Sequence, residues 1–232
     1  MGYTQLQLFI NRSQEINLLE DCIKRYAHPG YPLAILEAGC GRRWPLNLGE
    51  LHYTLTGVDI NEDALEIRKN KSKDLDEVVL GDLRYVELEK EKYDVIFCSF
   101  VLEHVENAER VLENFCRWLK PGGLLILRIP DRDSVRGLIT RITPFQFHVF
   151  YYKLVGIKNA GQPGHGPFPT PFNKVVSRKG IHQYCQKHDL IVKEEYGDGY
   201  YLNKRGIITF LERCFIRTIG VLSLGRISSE SQ

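Results

Sequence analysis

The chain has 232 residues, with 31 Lys and Arg against 29 Asp and Glu and a formal net charge of +2. Such a length suits one large domain, or a domain with an elaboration, and buries about 70% of the unfolded surface without staples. Its first residues, MGYTQLQLFINRSQ, lack a basic region followed by an apolar run, and no uncharged apolar stretch reaches about 18 residues, so neither a secretory signal nor a spanning helix is expected. Six cysteines are scattered with no CxxC pair, which argues against zinc and against a redox dithiol. Cys98 and Cys116 read as core thiols in a reducing, cytoplasmic compartment. The net charge hides an asymmetry. Residues 1–129 hold 16 basic and 21 acidic side chains, whereas residues 130–232 hold 15 and 8. The second part therefore either meets something anionic or has a solvated basic surface.

Ser13, followed by Ile16, Leu18, Leu19, Cys22, Ile23 and Tyr26, predicts a capped amphipathic helix that His28-Pro29-Gly30 ends. Leu33 to Ala38 is a short buried strand, and Tyr53 to Val58 is a second that ends at Asp59. Between them, Pro45 and Gly49 predict that the first crossover is short or irregular over residues 42–52. Asn61 to Lys71 is a helix with Asn61 as N-cap and Glu62 and Asp63 in its first turn. Glu77 to Leu80 and Tyr93 to Ser99 are the third and fourth strands. Asn107 to Leu119 is a helix that Lys120-Pro121-Gly122-Gly123 stops, and Leu124 to Ile129 is a fifth strand. This alternation implies crossover units and a doubly wound, mostly parallel α/β sheet with helices on both faces.

From Pro130 the rhythm changes. Residues 132–189 hold "PFQFHVFYY" and "AGQPGHGPFPTPF", and a long insertion of this kind is expected to form a substrate wall or lid. Phe145, Phe147, Phe150 and Tyr151 are either part of that wall or the insertion's own core. A helix is expected toward His188 and a sixth strand over Leu190 to Tyr196. The division read from the chain is 1–131 as core, 132–189 as insertion, and 190–232 as a sixth strand with a C-terminal segment completing the same domain. "GIITFLERCFIRTIGVLSLGR" looks helical, either a core helix or one that lies on a membrane or a partner helix.

Open α/β sheets bind ligands beyond the carboxyl ends of their strands. Glu37 ends the first strand, Asp59 ends the second and Asp82 follows the third, so parallel pairing brings three carboxylates to one edge. They suit a ligand with an amine, a ribose diol and an adenine amino group. The Gly39-Cys40-Gly41 turn lets backbone approach closely. A lone GxG with a later acidic residue also fits nicotinamide cofactors, and each carboxylate alone could be a helix anion, a turn former or a structural group.

Taken together, "ILEAGCG", "TGVDIN", "VVLGDLRYVEL", "YDVIFCSFVLEHV" and "LKPGGLLILRIPD" resemble the class I S-adenosylmethionine-dependent methyltransferases across residues 33–131. The resemblance implies a Rossmann-like fold, S-adenosyl-L-methionine as cofactor and methyl transfer as activity. By position it implies that Gly39, Cys40 and Gly41 border the methionine part, with Glu37 supporting its amine through water or backbone. Asp59 would take the ribose hydroxyls and Asp82 the adenine amine, with Ile60 and Leu83 sandwiching the ring. Ser99 and Phe100 would line the methionine and methyl side.

Two departures stand out. Arg43 occupies a position where such methyltransferases often have glycine, so either Arg42 or Arg43 approaches the methionyl carboxylate or both are solvent-facing. In "SFVLEHV", Phe100 stands where some of these enzymes begin a Glu-x-x-Glu-His metal motif. Glu103 and His104 alone make a poor hard-metal site, and no metal is expected. His104 is the first candidate for a general base and His148 the second, with Tyr151, Tyr152 and His165 also in the variable part. Neither a [DNS]-P-P-[YFW] motif nor a Pro-Cys nucleophile is present, so nucleic acid is not the expected partner and a small-molecule acceptor, with oxygen ahead of nitrogen or carboxylate, is favoured. Contact of the C-terminal segment with a membrane surface, a homodimer, and a noncatalytic binding or scaffold protein of the same fold are the rival expectations.

Overall fold

A computed structural model describes residues 6–26, 32–154, 156–162, 166–171 and 173–199. Contacts divide the chain into two units, Ile16–Ile129 and the combination of Met1–Glu15 with Pro130–Gln232. The first unit contains five parallel strands: β2 (Leu33–Ala38), β3 (Tyr53–Asp59), β4 (Glu77–Leu80), β5 (Tyr93–Ser99) and β6 (Leu119–Arg128). Their spatial order is β4-β3-β2-β5-β6, so the chain winds outward one way from β2 and then returns to its other side. The strand order reverses between β2 and β5, where open α/β sheets leave a crevice at the carboxyl edge.

Both faces of this sheet are covered, which is why its strands read as near-continuous apolar runs. On one face, Leu19 and Ile23 of α1 (Arg12–Tyr26) pack with Ile35, Leu55, Val95 and Phe97. Elsewhere in the unit, α3 (Ala108–Trp118) buries Val111, Leu112, Phe115 and Trp118 at i, i+1, i+4 and i+7, a one-sided apolar stripe. The α1 start differs from the sequence expectation: Asn11, not Ser13, accepts the backbone N–H of Gln14 through its side chain. The expected stop at His28-Pro29-Gly30 lies outside the described residues.

The crossover after β2 contains no helix. Residues 43–48 run without regular structure and bury Leu46 and Leu48, while Trp44 meets Phe97 edge-on at 5.6 Å between ring centroids. Inward residues recur every second position, the period of extended chain, so three side chains fill the space a helix would occupy. α2 (Glu62–Ile67) follows β3 with Asn61 accepting the Ala64 N–H, and a π-helical turn over Arg68–Ser72 extends it. A 3₁₀ turn over Leu102–His104 follows β5. Lys120-Pro121-Gly122-Gly123 does not separate α3 from its strand. Instead α3 passes directly into β6, and this stretch forms an irregularity in the register between Tyr93–Leu119 and Val95–Leu124.

In the second unit, β1 (Gln7–Phe9) pairs in parallel with β7 (Tyr196–Asp198). Three helices are described there: α4 (Val135–Ile142), α5 (Phe145–Leu154) and α6 (Arg178–Lys187), the last capped by Ser177. Residues 190–195 are not a strand, contrary to the sequence expectation; Ile191 is 75% exposed and the pairing begins only at Tyr196. The C-terminal segment "GIITFLERCFIRTIGVLSLGR" lies outside the described residues. Among the described residues no helix is long and apolar enough to cross a membrane.

Candidate active site

The carboxyl edge of the sheet gathers most of the residues singled out from the sequence. Register pairs Glu37 with Gly57, Asp59 with Leu80, Ala38 with Cys98 and Ser99 with Arg128. Beyond β2 the chain turns through Gly39 at φ +71° and Gly41 at φ +56°, conformations that favour glycine. Gly39 is doubly constrained, since a Cβ there would stand 2.2 Å from Cγ2 of Val101. At Gly41 a Cβ would meet nothing within 4 Å, so this backbone borders open space. The Asp59 carboxylate holds the turn: Oδ2 accepts the Gly41 N–H and Oδ1 accepts the Asn61 N–H, each at 2.8 Å. Ile60, next in the chain, is 74% exposed beside this edge, whereas Leu83 is buried.

Beneath the turn lies Arg68, fully buried. It donates from Nη1 to the Cys40 carbonyl at 2.8 Å and from Nε to Asp74 at 2.7 Å. Its Nη2 stands 2.9 Å from Oε2 of Glu37, an ion pair without hydrogen-bond alignment. Burial pushes the Glu37 carboxyl up, to about 8, against the lowering pull of Arg68. Asp74 also accepts the Trp44 N–H at 3.3 Å. The buried cation thus ties the end of β2, the glycine turn and the start of the irregular crossover into one assembly. Glu37 is buried against Arg68. Arg42 and Arg43 are both exposed.

Asp82 has a basic partner of its own. Arg84 grips its carboxylate through Nε and Nη2, at 2.6 to 3.1 Å, and keeps it below the usual carboxylate range. Across the sheet, Arg128 donates to Ser99 Oγ at 2.8 Å and stacks its guanidinium 4.6 Å from the Phe100 ring centroid. Phe100 adopts a left-handed φ of +54° and leaves half its surface exposed. In the 3₁₀ turn just beyond, Glu103 is buried and its Oε2 lacks a hydrogen-bond partner, while Oε1 stands 3.8 Å from Nε2 of His104.

Residues 36–127 match the sequence profile of a family described as "Methyltransferase domain". Over these residues, somewhat under half of its length, the chain has the sequence of a class I S-adenosylmethionine-dependent methyltransferase domain. The mitochondrial ubiquinone biosynthesis O-methyltransferase of Schizosaccharomyces pombe is 33% identical over 131 residues, 50% of this chain and 47% of that protein. The protein of the same name from Coxiella burnetii is 25% identical over 156 residues, 66% of this chain and 56% of that one. The chain therefore spans about half the length of these curated relatives. An uncharacterised protein of Methanocaldococcus jannaschii matches more broadly, with 27% identity over 184 residues, 78% of this chain and 84% of that one.

Within this methyltransferase domain the structure gathers Glu37, Gly39, Cys40, Gly41, Asp59 and Ile60 around the end of β2 and β3. Ser99, Phe100 and His104 lie on β5 and the turn after it. His148 lies on α5 of the other unit, with Nε2 2.8 Å from the Thr143 hydroxyl. His165 is outside the described residues. Three arginines escaped the sequence reading: Arg68, Arg84 and Arg128. Only Arg68 had a usable signal, since it lies four residues after buried Ala64 on one helical face.

Glu103 yields a pH prediction for the domain. Burial raises its carboxyl from 4.5 to about 7, so the folded chain holds a proton that the unfolded chain releases earlier. That contribution to stability is fully present below pH 4.5 and is lost as pH rises through about 7. Glu103→Gln, neutral at every pH, is expected to gain up to about 3 kcal/mol over wild type between pH 5 and pH 8. Urea unfolding at the two pH values measures the difference, and a pH-independent difference would contradict the assignment.

Proposed function

We propose that the chain transfers a methyl group from S-adenosylmethionine to an oxygen of a small-molecule acceptor. The observation that carries this reading is the glycine turn held against Asp59 at the carboxyl edge, with Gly41 bordering open space. The residues fit the cofactor. Gly39, Cys40 and Gly41 border its methionine part, and Asp59 keeps acceptor lone pairs for the ribose hydroxyls. Asp82 serves the adenine amine while sharing its charge with Arg84. Ile60 offers an exposed apolar surface to the ring on one side, and Leu83 closes the other.

When bound, the cofactor supplies an electrophilic sulfonium methyl. Ser99 and Phe100 orient the acceptor, and holding nucleophile and methyl in line supplies up to about 7–11 kcal/mol in well-oriented cases. Where the acceptor is a hydroxyl, His104 would take up its proton on an imidazole nitrogen. The two relatives named as O-methyltransferases support oxygen as the acceptor atom.

The test is S-adenosylhomocysteine release from methyl-labelled cofactor with a panel of small phenols and alcohols. Wild type is expected to show acceptor-dependent release. His104→Ala is expected to lower kcat by about 10²–10⁴ with cofactor affinity unchanged. A His104→Ala enzyme with unaltered kcat would remove the base from the mechanism, and release stimulated by small amines added to the panel but by none of the phenols or alcohols would overturn the oxygen assignment.

A further inference from the structure

Helix α5 presents large apolar side chains to solvent on one face. Phe147, Phe150, Tyr151 and Leu154 are 65%, 66%, 60% and 73% exposed. Their spacing of i, i+3, i+4 and i+7 puts them in a single stripe. The helix is held from its other side, where Val149 packs against Gly161 and His148 meets Thr143. No residue of α5 is buried. Single exposed hydrophobics need no explanation, but a contiguous stripe of four marks an interaction surface.

Charge selects the occupant. Between residues 132 and 158 there are five Lys or Arg and one Asp. Two copies meeting through this face about a two-fold axis would oppose like charges, since an isologous contact sets the same patch against itself. The chain's own residues 201–232, with five basic and two acidic side chains, carry the same sign. An anionic surface is complementary, and aromatic side chains flanked by Lys and Arg match the boundary between lipid headgroups and acyl chains.

We propose that α5 docks the protein on an anionic bilayer surface, laying Phe147, Phe150, Tyr151 and Leu154 into the headgroup region. The docking is independent of the reading of the active site.

Flotation of the full chain with vesicles tests it, using phosphatidylcholine alone and phosphatidylcholine mixed with phosphatidylglycerol. Wild type is expected to float with the mixed vesicles, less at high salt, and not with the neutral ones. Phe147→Ser/Phe150→Ser/Leu154→Ser is expected to reduce binding by at least about tenfold. Arg141→Glu/Lys153→Glu, which leaves the stripe intact, is expected to remove the preference for anionic vesicles and decides the matter if the serine variant fails to fold. Absence of wild-type binding, or binding by both variants equal to that of wild type, overturns the proposal. So does a wild-type dimer that the serine variant converts to monomer, since the face would then join two copies of the chain.

Discussion

Replacing Arg68 with methionine is expected to cost about 3–5 kcal/mol of stability, the range for breaking a buried ion pair from one side. For a protein of this size that corresponds to a fall in Tm of roughly 6–20 °C. The loss arises less from the missing attraction than from what remains. Asp74 and the Cys40 carbonyl would lose a buried donor, and Glu37, its carboxyl already pushed up to about 8 by burial, would lose the group that pulls it down. Adding Glu37→Gln removes the stranded carboxylate, so the double variant is expected to recover part of the loss. Urea unfolding of the two single variants and the double one measures the coupling. Strict additivity of the two costs would mean that Arg68 and Glu37 do not act as a pair.

Asp59→Ala is expected to weaken S-adenosylhomocysteine binding by about 10²–10⁴, while leaving most of the fold intact. Two hydrogen bonds to a charged acceptor contribute about 3–6 kcal/mol together, and the ribose diol offers two donors. The same carboxylate holds the Gly41 and Asn61 amides, so its removal also loosens the turn that borders the ligand. Asp59→Asn separates the two contributions. It retains one acceptor for the backbone but loses the charge, and is expected to fall between wild type and Asp59→Ala. The readout is calorimetric titration with S-adenosylhomocysteine.

The sheet was legible because parallel strands buried on both faces leave unbroken apolar runs, such as Leu33–Ala38 and Tyr93–Ser99. The irregular crossover was legible through Pro45 and Gly49, yet not the way it fills its space. Trp44, Leu46 and Leu48 follow a period of two, which a search for a helix overlooks. Lys120-Pro121-Gly122-Gly123 reads as a stop because Pro and Gly punctuate chains, but pairing with β5 absorbs it as a strand irregularity. Leu190–Val192 has strand propensity and no strand pairing; propensity alone does not decide pairing.

At the site, the position of each carboxylate followed from strand ends, whereas its partner did not. Arg68, Arg84 and Arg128 lie on a helix extension, a turn and the outer strand β6. Nothing in a single sequence says which acidic or aromatic side chain each arginine will meet. The three engage Glu37, Asp82 and Phe100 from within the chain itself.

The proposed function requires the arginine-bearing turn after β2 to be a working cofactor loop. Calorimetric titration of S-adenosylhomocysteine into wild type and Asp59→Ala tests it most directly. Saturable one-to-one binding in wild type, weakened at least about a hundredfold in Asp59→Ala, is the expected result. No heat of binding in wild type would contradict it.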